Sequence, residues 1–156
     1  MQKTEEMRKV VSRRQEKMIA DYLSWNTVPG SGSRGTRPGD IHSDEWLGEC
    51  KTHVTAQPTI IFLFSYWEKI REEATAKFLL PALFVDRGHQ TLDDVWVLFK
   101  NTFDDVTVTS EHIKVNNRSV SFDPKLLNSS SMYEIDPTGL AVASLSYFKS
   151  HVCIGG

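Results

Sequence analysis

Apolar positions keep a helical period at the start of the chain and then break into short runs separated by Gly, Pro and Asn. From Glu5 to Trp25 there is no Gly or Pro, and Thr4 can cap the start. Met7, Val11, Met18, Tyr22 and Trp25 fall on one helical stripe. Glu16, Ile19, Ala20 and Leu23 form a neighbouring stripe, which puts an acid at the edge of a packed face. Asn26 to Gly39 reads as a loop, punctuated by Pro29, Gly30, Gly32, Gly35, Pro38 and Gly39. Glu45 to Thr52 reads as a strand with Glu49 and Lys51 on one face and Cys50 on the other. Thr59 to Phe64 fits either a buried strand or a helix entry. A second helix is expected from Ser65, where Ser65 and Glu68 form a capping box. Its expected buried stripe is Trp67, Ile70, Ala74 and Phe78.

Pro81 to Asp86 is a further strand, ended by Arg87-Gly88-His89, and Asp94 to Lys100 alternates around Val95, Val97 and Phe99 as another. Val106 to Val115 and Arg118 to Phe122 are expected to pair across Asn116-Asn117, because Asn tolerates the positive φ of a tight hairpin turn. Asn128 to Met132 is a polar loop. Gly139 to Lys149 reads as a short terminal helix with Leu140, Val142, Leu145 and Phe148 inward. This order implies an α/β fold, a central mixed sheet flanked by helices.

With 156 residues, 40% hydrophobic and 24% charged, the chain suits a single domain with a real core. No apolar run approaches the ~20 residues of a membrane span. The charged start carries no visible secretory signal, and Cys50 and Cys153 lie outside any paired motif. The expectation is a cytoplasmic protein without an obligatory disulfide. A net charge of -2 gives nucleic-acid binding no general support. The charge is uneven, however: residues 1–39 hold eight Lys/Arg against four Asp/Glu, a local +4 that leaves -6 elsewhere. Phosphate contact depends on such local basic surface rather than on the total.

Asp40, Glu49 and Lys51 change the picture most. Cleaving a phosphodiester needs an activated water and neutralisation of phosphate charge, which divalent ions held by carboxylates supply. Asp40 at the end of a turn and Glu49 on the next strand can converge across a hairpin. Lys51 points the same way as Glu49, because strand side chains repeat every two residues. A lysine there can hold or deprotonate the attacking water or steady the phosphate. Cys50 is read as a core filler. A soft-metal site through Cys50 and His53, with His42 nearby, is disfavoured because zinc wants three or four ligands. No nucleophile elbow is present. Lys69, Arg71 and Lys77 are read as a solvated helix face, with DNA contact as the alternative.

The pattern Gly-Asp-x(8)-Glu-Cys-Lys resembles the PD-(D/E)XK nuclease superfamily. With RRQEK on the first helix, then GSGSRG, PGDI and LGECKT, the chain is similar to the archaeal-type Holliday junction resolvases and their phage and bacterial relatives. The resemblance covers roughly Arg13 to Gly88. It implies a restriction-endonuclease-like fold over residues 1–156, with a core of about 5–122 and a C-terminal extension of about 123–156. It implies Glu16, Asp40, Glu49 and Lys51 as catalytic residues, with Asp40, Glu49 and Glu16 as ligands of Mg²⁺, for which Mn²⁺ substitutes. Arg13, Arg14, Ser31, Gly32, Ser33, Arg34 and Arg37 are the expected DNA contacts. A homodimer nicking four-way DNA junctions symmetrically is the implied function. Its rivals are a flap, restriction-like or general endonuclease of the same fold, and a DNA-binding domain without turnover.

Overall fold

A computed structural model of the chain describes residues 2–28, 39–102 and 106–153, with side chains from residue 5 onward. Helix α1 (Gln2–Leu23) leads into β1 (Asn26–Thr27), β2 (Ile41–His42) and β3 (Trp46–Lys51). Next come β4 (Ile60–Leu63), helix α2 (Phe64–Ala76), β5 (Leu80–Val85) and β6 (Trp96–Lys100). The chain continues through β7 (Lys114–Val115), β8 (Ser119–Phe122), β9 (Tyr133–Glu134) and β10 (Leu140–Ser144). It closes with a short helical turn, α3 (Leu145–Tyr147), that widens into a π-helical turn at Phe148–Val152.

The main sheet has the order β1-β2-β3-β5-β6-β10-β9, and β4-β8-β7 form a second, small sheet. The β3–β5 pair is parallel and the others antiparallel, so the sheet is mixed. The α/β architecture expected from the sequence is what forms. One face carries α1 and the C-terminal turn over Ile19, Trp46, Phe84, Phe99 and Phe148. Trp25 and Trp46 meet Phe148 there at centroid distances of 6.2 and 5.1 Å. The other face packs Leu47, Leu83 and Leu98 against Trp67 and Ile70 of α2 and against the small sheet. No helix among the described residues is long and apolar enough to cross a membrane.

Several elements differ from their expected form. Residues 140–144 are a strand rather than the first half of a helix. All five are buried, and each pairs with β6 from Leu140↔Lys100 to Ser144↔Trp96. A segment covered on both faces loses the alternation that would have marked it as a strand. Residues 123–153 thereby supply β9 and β10 to the main sheet. The β7–β8 turn takes no positive φ at Asn116 or Asn117. Instead, the Asn116 Oδ1 accepts the amides of Arg118 and Ser119 at 2.8 and 2.9 Å, a side-chain-mediated turn. Helix α2 starts at Phe64 with no side-chain cap, so the Ser65–Glu68 capping box does not form. Glu68 pairs with Arg71 instead.

Phe78 is the sharpest departure. Expected in the core, it is 97% exposed and has φ +60°. The Phe78 amide donates to the Thr75 carbonyl and the Leu79 amide to the Ala74 carbonyl. This is the Schellman closure of a helix, in which glycine usually takes the left-handed position. A left-handed L-residue costs roughly 1–2 kcal/mol, partly offset in glycine by its looser unfolded chain. Phe78→Gly is therefore expected to stabilise the protein by about 1 kcal/mol and raise Tm by about 2–4 °C. A thermal melt checks this, and an unchanged or lower Tm would mean that the exposed ring makes a stabilising contact.

Candidate active site

The hairpin from β2 to β3 explains the spacing between the two acids. Ile41 pairs with Gly48 and His42 with Leu47, and the Ser43 amide closes the turn on the Trp46 carbonyl at 3.0 Å. The paired ladder ends at Ile41↔Gly48, and Asp40 directly precedes Ile41. The eight intervening residues are the length of chain that this turn consumes.

Two glycines permit the close approach. Gly39 has φ +69°, and a Cβ there would lie 2.6 Å from Leu47 Cδ1. At Gly48 a Cβ would lie 2.7 Å from the Phe84 ring. The Asp40 amide donates to the Gly48 carbonyl at 2.8 Å, and Asp40 Oδ2 accepts the Cys50 amide at 2.8 Å. Asp40 is thus oriented by the strand that carries Glu49 and Lys51.

Asp40 is 8% and Glu49 5% exposed, which places two carboxylates together away from bulk water. Burial and the neighbouring Asp40 charge hold Glu49 above the ordinary carboxylate range, while Lys51 and Lys69 pull it back. Lys51 Nζ lies 3.4 Å from Glu49 Oε2 and 4.2 Å from the centre of the Tyr66 ring. Glu16 joins from α1, on the other side of the sheet. Burial, then the Asp40 and Glu49 charges, push its pKa up to about 7, against the pull of Arg13 and Lys51. Repulsion among the three acids and the pull of Lys51 couple the four expected catalytic residues electrostatically. Among the described residues no three His, Cys, Asp or Glu side chains form a group able to hold a metal unaided. Cys50 is buried, and its thiol is pushed well up by desolvation and by the surrounding acids, as a core filler should be.

Arg13 is exposed beside Glu16, and Arg14 donates to Gln90 at 2.9 Å on the surface. Ser31, Gly32, Ser33, Arg34 and Arg37 lie outside the described residues. Helix α2 contributes three side chains that sequence reasoning did not assign to the site. Tyr66, Lys69 and Glu73 each directly precede a core position of α2 (Trp67, Ile70 and Ala74), so they line the edge of the packed stripe. That offset is the signal that could have found them.

Beneath the site is a buried polar cluster. Gln15 is 1% exposed and donates to the Lys51 carbonyl at 2.7 Å and to Asp86 Oδ2 at 3.3 Å, while its Oε1 has no hydrogen-bond partner among the described residues. Asp86 Oδ1 accepts from Thr52 Oγ1 at 2.6 Å and from the Gly88 amide at 2.9 Å. Burial raises the Asp86 pKa against these hydrogen bonds. A carboxylate whose folded pKa is raised keeps a proton that the unfolded chain has already lost. Its contribution to stability therefore declines as pH rises from the ordinary aspartate range through the folded value. Asp86→Asn removes this contribution, so the variant gains on wild type in thermal melts as pH rises above the ordinary aspartate range. A stability difference independent of pH would show that Asp86 titrates normally.

Comparison with family models, curated proteins and solved structures finds no match for this chain.

Proposed function

We propose that the chain is a metal-dependent DNA endonuclease of the PD-(D/E)XK type and acts on four-way junctions as a homodimer. The observation that carries this reading is the buried Asp40, bonded to β3 through the Cys50 amide, together with the buried Glu49 and its Lys51 partner on that strand. Isolated E-x-K triplets are common on exposed strands. A buried acid pair on adjacent strands beside a lysine is costly, and such arrangements concentrate where charge is put to use.

The donor set suits Mg²⁺. Its ligands would be oxygens from Asp40 and Glu49, with Glu16 contributing negative charge nearby. Mg²⁺ is commonly held by one or two carboxylates together with waters and substrate phosphate. The mutual repulsion of these acids is what a divalent cation relieves. When bound, the ion neutralises phosphate charge and makes water a better nucleophile. Asp40 and Glu49 would fix its place relative to the strand. The Lys51 ammonium, held between Glu49 and the Tyr66 ring, is poised to steady charge on the scissile phosphate or to orient the attacking water.

Arg13, next to Glu16, supplies positive charge at the rim for the DNA backbone. The junction as substrate rests on the sequence resemblance around Glu16, Gly30 to Arg34, and Glu49 to Lys51. Recognition would then act through DNA shape and phosphates rather than base edges.

Labelled four-way junction, flap, nicked duplex and linear duplex of matched sequence, incubated with Mg²⁺ and the wild-type protein, test the substrate. Paired symmetric nicks on the junction are expected. Equal cutting of linear duplex would remove junction selectivity while leaving the nuclease reading intact. No cleavage with any divalent ion would remove both.

A further inference from the structure

Glu73 sits on α2, remote in sequence from the hairpin that carries Asp40, yet it reaches that hairpin directly. Its Oε2 accepts the Gly39 amide at 2.7 Å. Its Oε1 lies 3.7 Å from Lys69 Nζ, and the same ammonium lies 3.9 Å from Glu49 Oε1. The Glu73 side chain is 21% exposed and the Lys69 side chain 58%, so the carboxylate is sheltered under a flexible cation.

We propose that Glu73 is a positioning residue for Asp40, acting through the Gly39 amide, with Lys69 as the strap that holds it. The proposal rests on the metal-dependent reading of Asp40 and Glu49. Gly39 is the residue whose left-handed backbone turns the chain into β2, and its N–H points away from the strand ladder. Without an acceptor there, that amide would be partly buried and unsatisfied, a condition that distorts a turn or draws in water. Asp40 follows immediately, and its own amide and carboxylate are already fixed on β3. Glu73 closes the remaining side of this arrangement, so the Asp40 carboxylate is referenced to α2 as well as to β3.

Lys69 has a second consequence. It pairs with Glu73 and reaches Glu49, so one helical turn of α2 touches both the acid on β3 and the residue before Asp40. Partners of this kind, which orient metal-ligating carboxylates without touching the ion, typically change metal affinity or activity by about 10–100-fold when removed.

The test compares wild type with Glu73→Ala, Glu73→Gln and Lys69→Met, reading Mn²⁺ binding by electron paramagnetic resonance and the Gly39 amide by ¹H–¹⁵N NMR. Glu73→Ala is expected to shift the Gly39 amide proton upfield and to weaken Mn²⁺ binding by about 10-fold or more. Cleavage should fall through kcat, with KM for DNA little changed. Glu73→Gln keeps an oxygen acceptor and is expected to restore both the amide position and most of the Mn²⁺ affinity. Lys69→Met should leave the amide bonded and weaken Mn²⁺ binding by less than Glu73→Ala does. Thermal melts of each variant separate these effects from loss of fold.

If Glu73→Ala binds Mn²⁺ as wild type does, the positioning role is wrong while the metal reading stands. If Glu73→Gln is as impaired as Glu73→Ala, the charge rather than the hydrogen bond matters, and the proposal fails. A wild type that binds no Mn²⁺ overturns both.

Discussion

Asp40→Asn is expected to lower DNA cleavage by about a thousandfold or more while leaving the fold intact. Carboxylates that hold a catalytic divalent ion support several kcal/mol of transition-state stabilisation, and each ~1.4 kcal/mol is a factor of ten in rate. Asparagine has the same shape as aspartate, and its carbonyl can still accept the Cys50 amide that now bonds Asp40 Oδ2. What it removes is the negative charge facing Glu49. In metal-free buffer that removal also relieves the repulsion that raises Glu49 and Glu16. The variant should therefore melt at the same temperature as wild type or higher, yet lose Mg²⁺-induced stabilisation. Single-turnover cleavage and melts with and without Mg²⁺ make the comparison. Cleavage within tenfold of wild type would place the chemistry elsewhere in the protein.

Lys51→Met is expected to lower the cleavage rate by about a hundredfold or more, in keeping with loss of one positioned charge or proton-transfer group. The contrast with Asp40→Asn is in the metal. Methionine keeps an apolar stem against Tyr66 but removes the ammonium beside Glu49, so the acid pair survives and Mn²⁺ binding should change only a few-fold. Lys51→Arg should not restore the rate, because a planar guanidinium cannot occupy the ammonium's place and does not give up its proton. A Lys51→Met variant that loses Mn²⁺ binding as fully as Asp40→Asn would make Lys51 a support for the acids rather than a participant in cleavage.

Most of the candidate site was legible because it lies within one hairpin. Asp40, Glu49 and Lys51 are local in sequence, strand periodicity fixes which of them share a face, and the turn at Ser43–Trp46 accounts for the spacing. From periodicity Glu16 was legible as the edge of a helical stripe, and only the family resemblance gave it a place in the site; its approach to Asp40 and Glu49 depends on how α1 packs over the opposite face of the sheet. Tyr66, Lys69 and Glu73 were opaque for the same reason. Their place one residue before core positions marks them as the edge of the packed stripe of α2, but that this edge meets the hairpin depends on how the helix packs. Gln15 was hidden too, because a glutamine next to charged residues reads as surface until Lys51 and Asp86 are packed over it. Phe78 misled in the other direction. Its spacing from Ala74 fits a core stripe, but the helix has already closed at Ala76 and the chain reverses through a left-handed residue. In β10, burial on both faces erased the alternation that marks a strand.

The most direct test of the central claim is single-turnover cleavage of an end-labelled four-way junction by the wild-type protein, with Mg²⁺ added and then removed by a chelator. A nuclease centred on Asp40, Glu49 and Lys51 cuts the junction only while Mg²⁺ is present. Cleavage that persists at the same rate after chelation, or its absence at every Mg²⁺ and Mn²⁺ concentration, would contradict it.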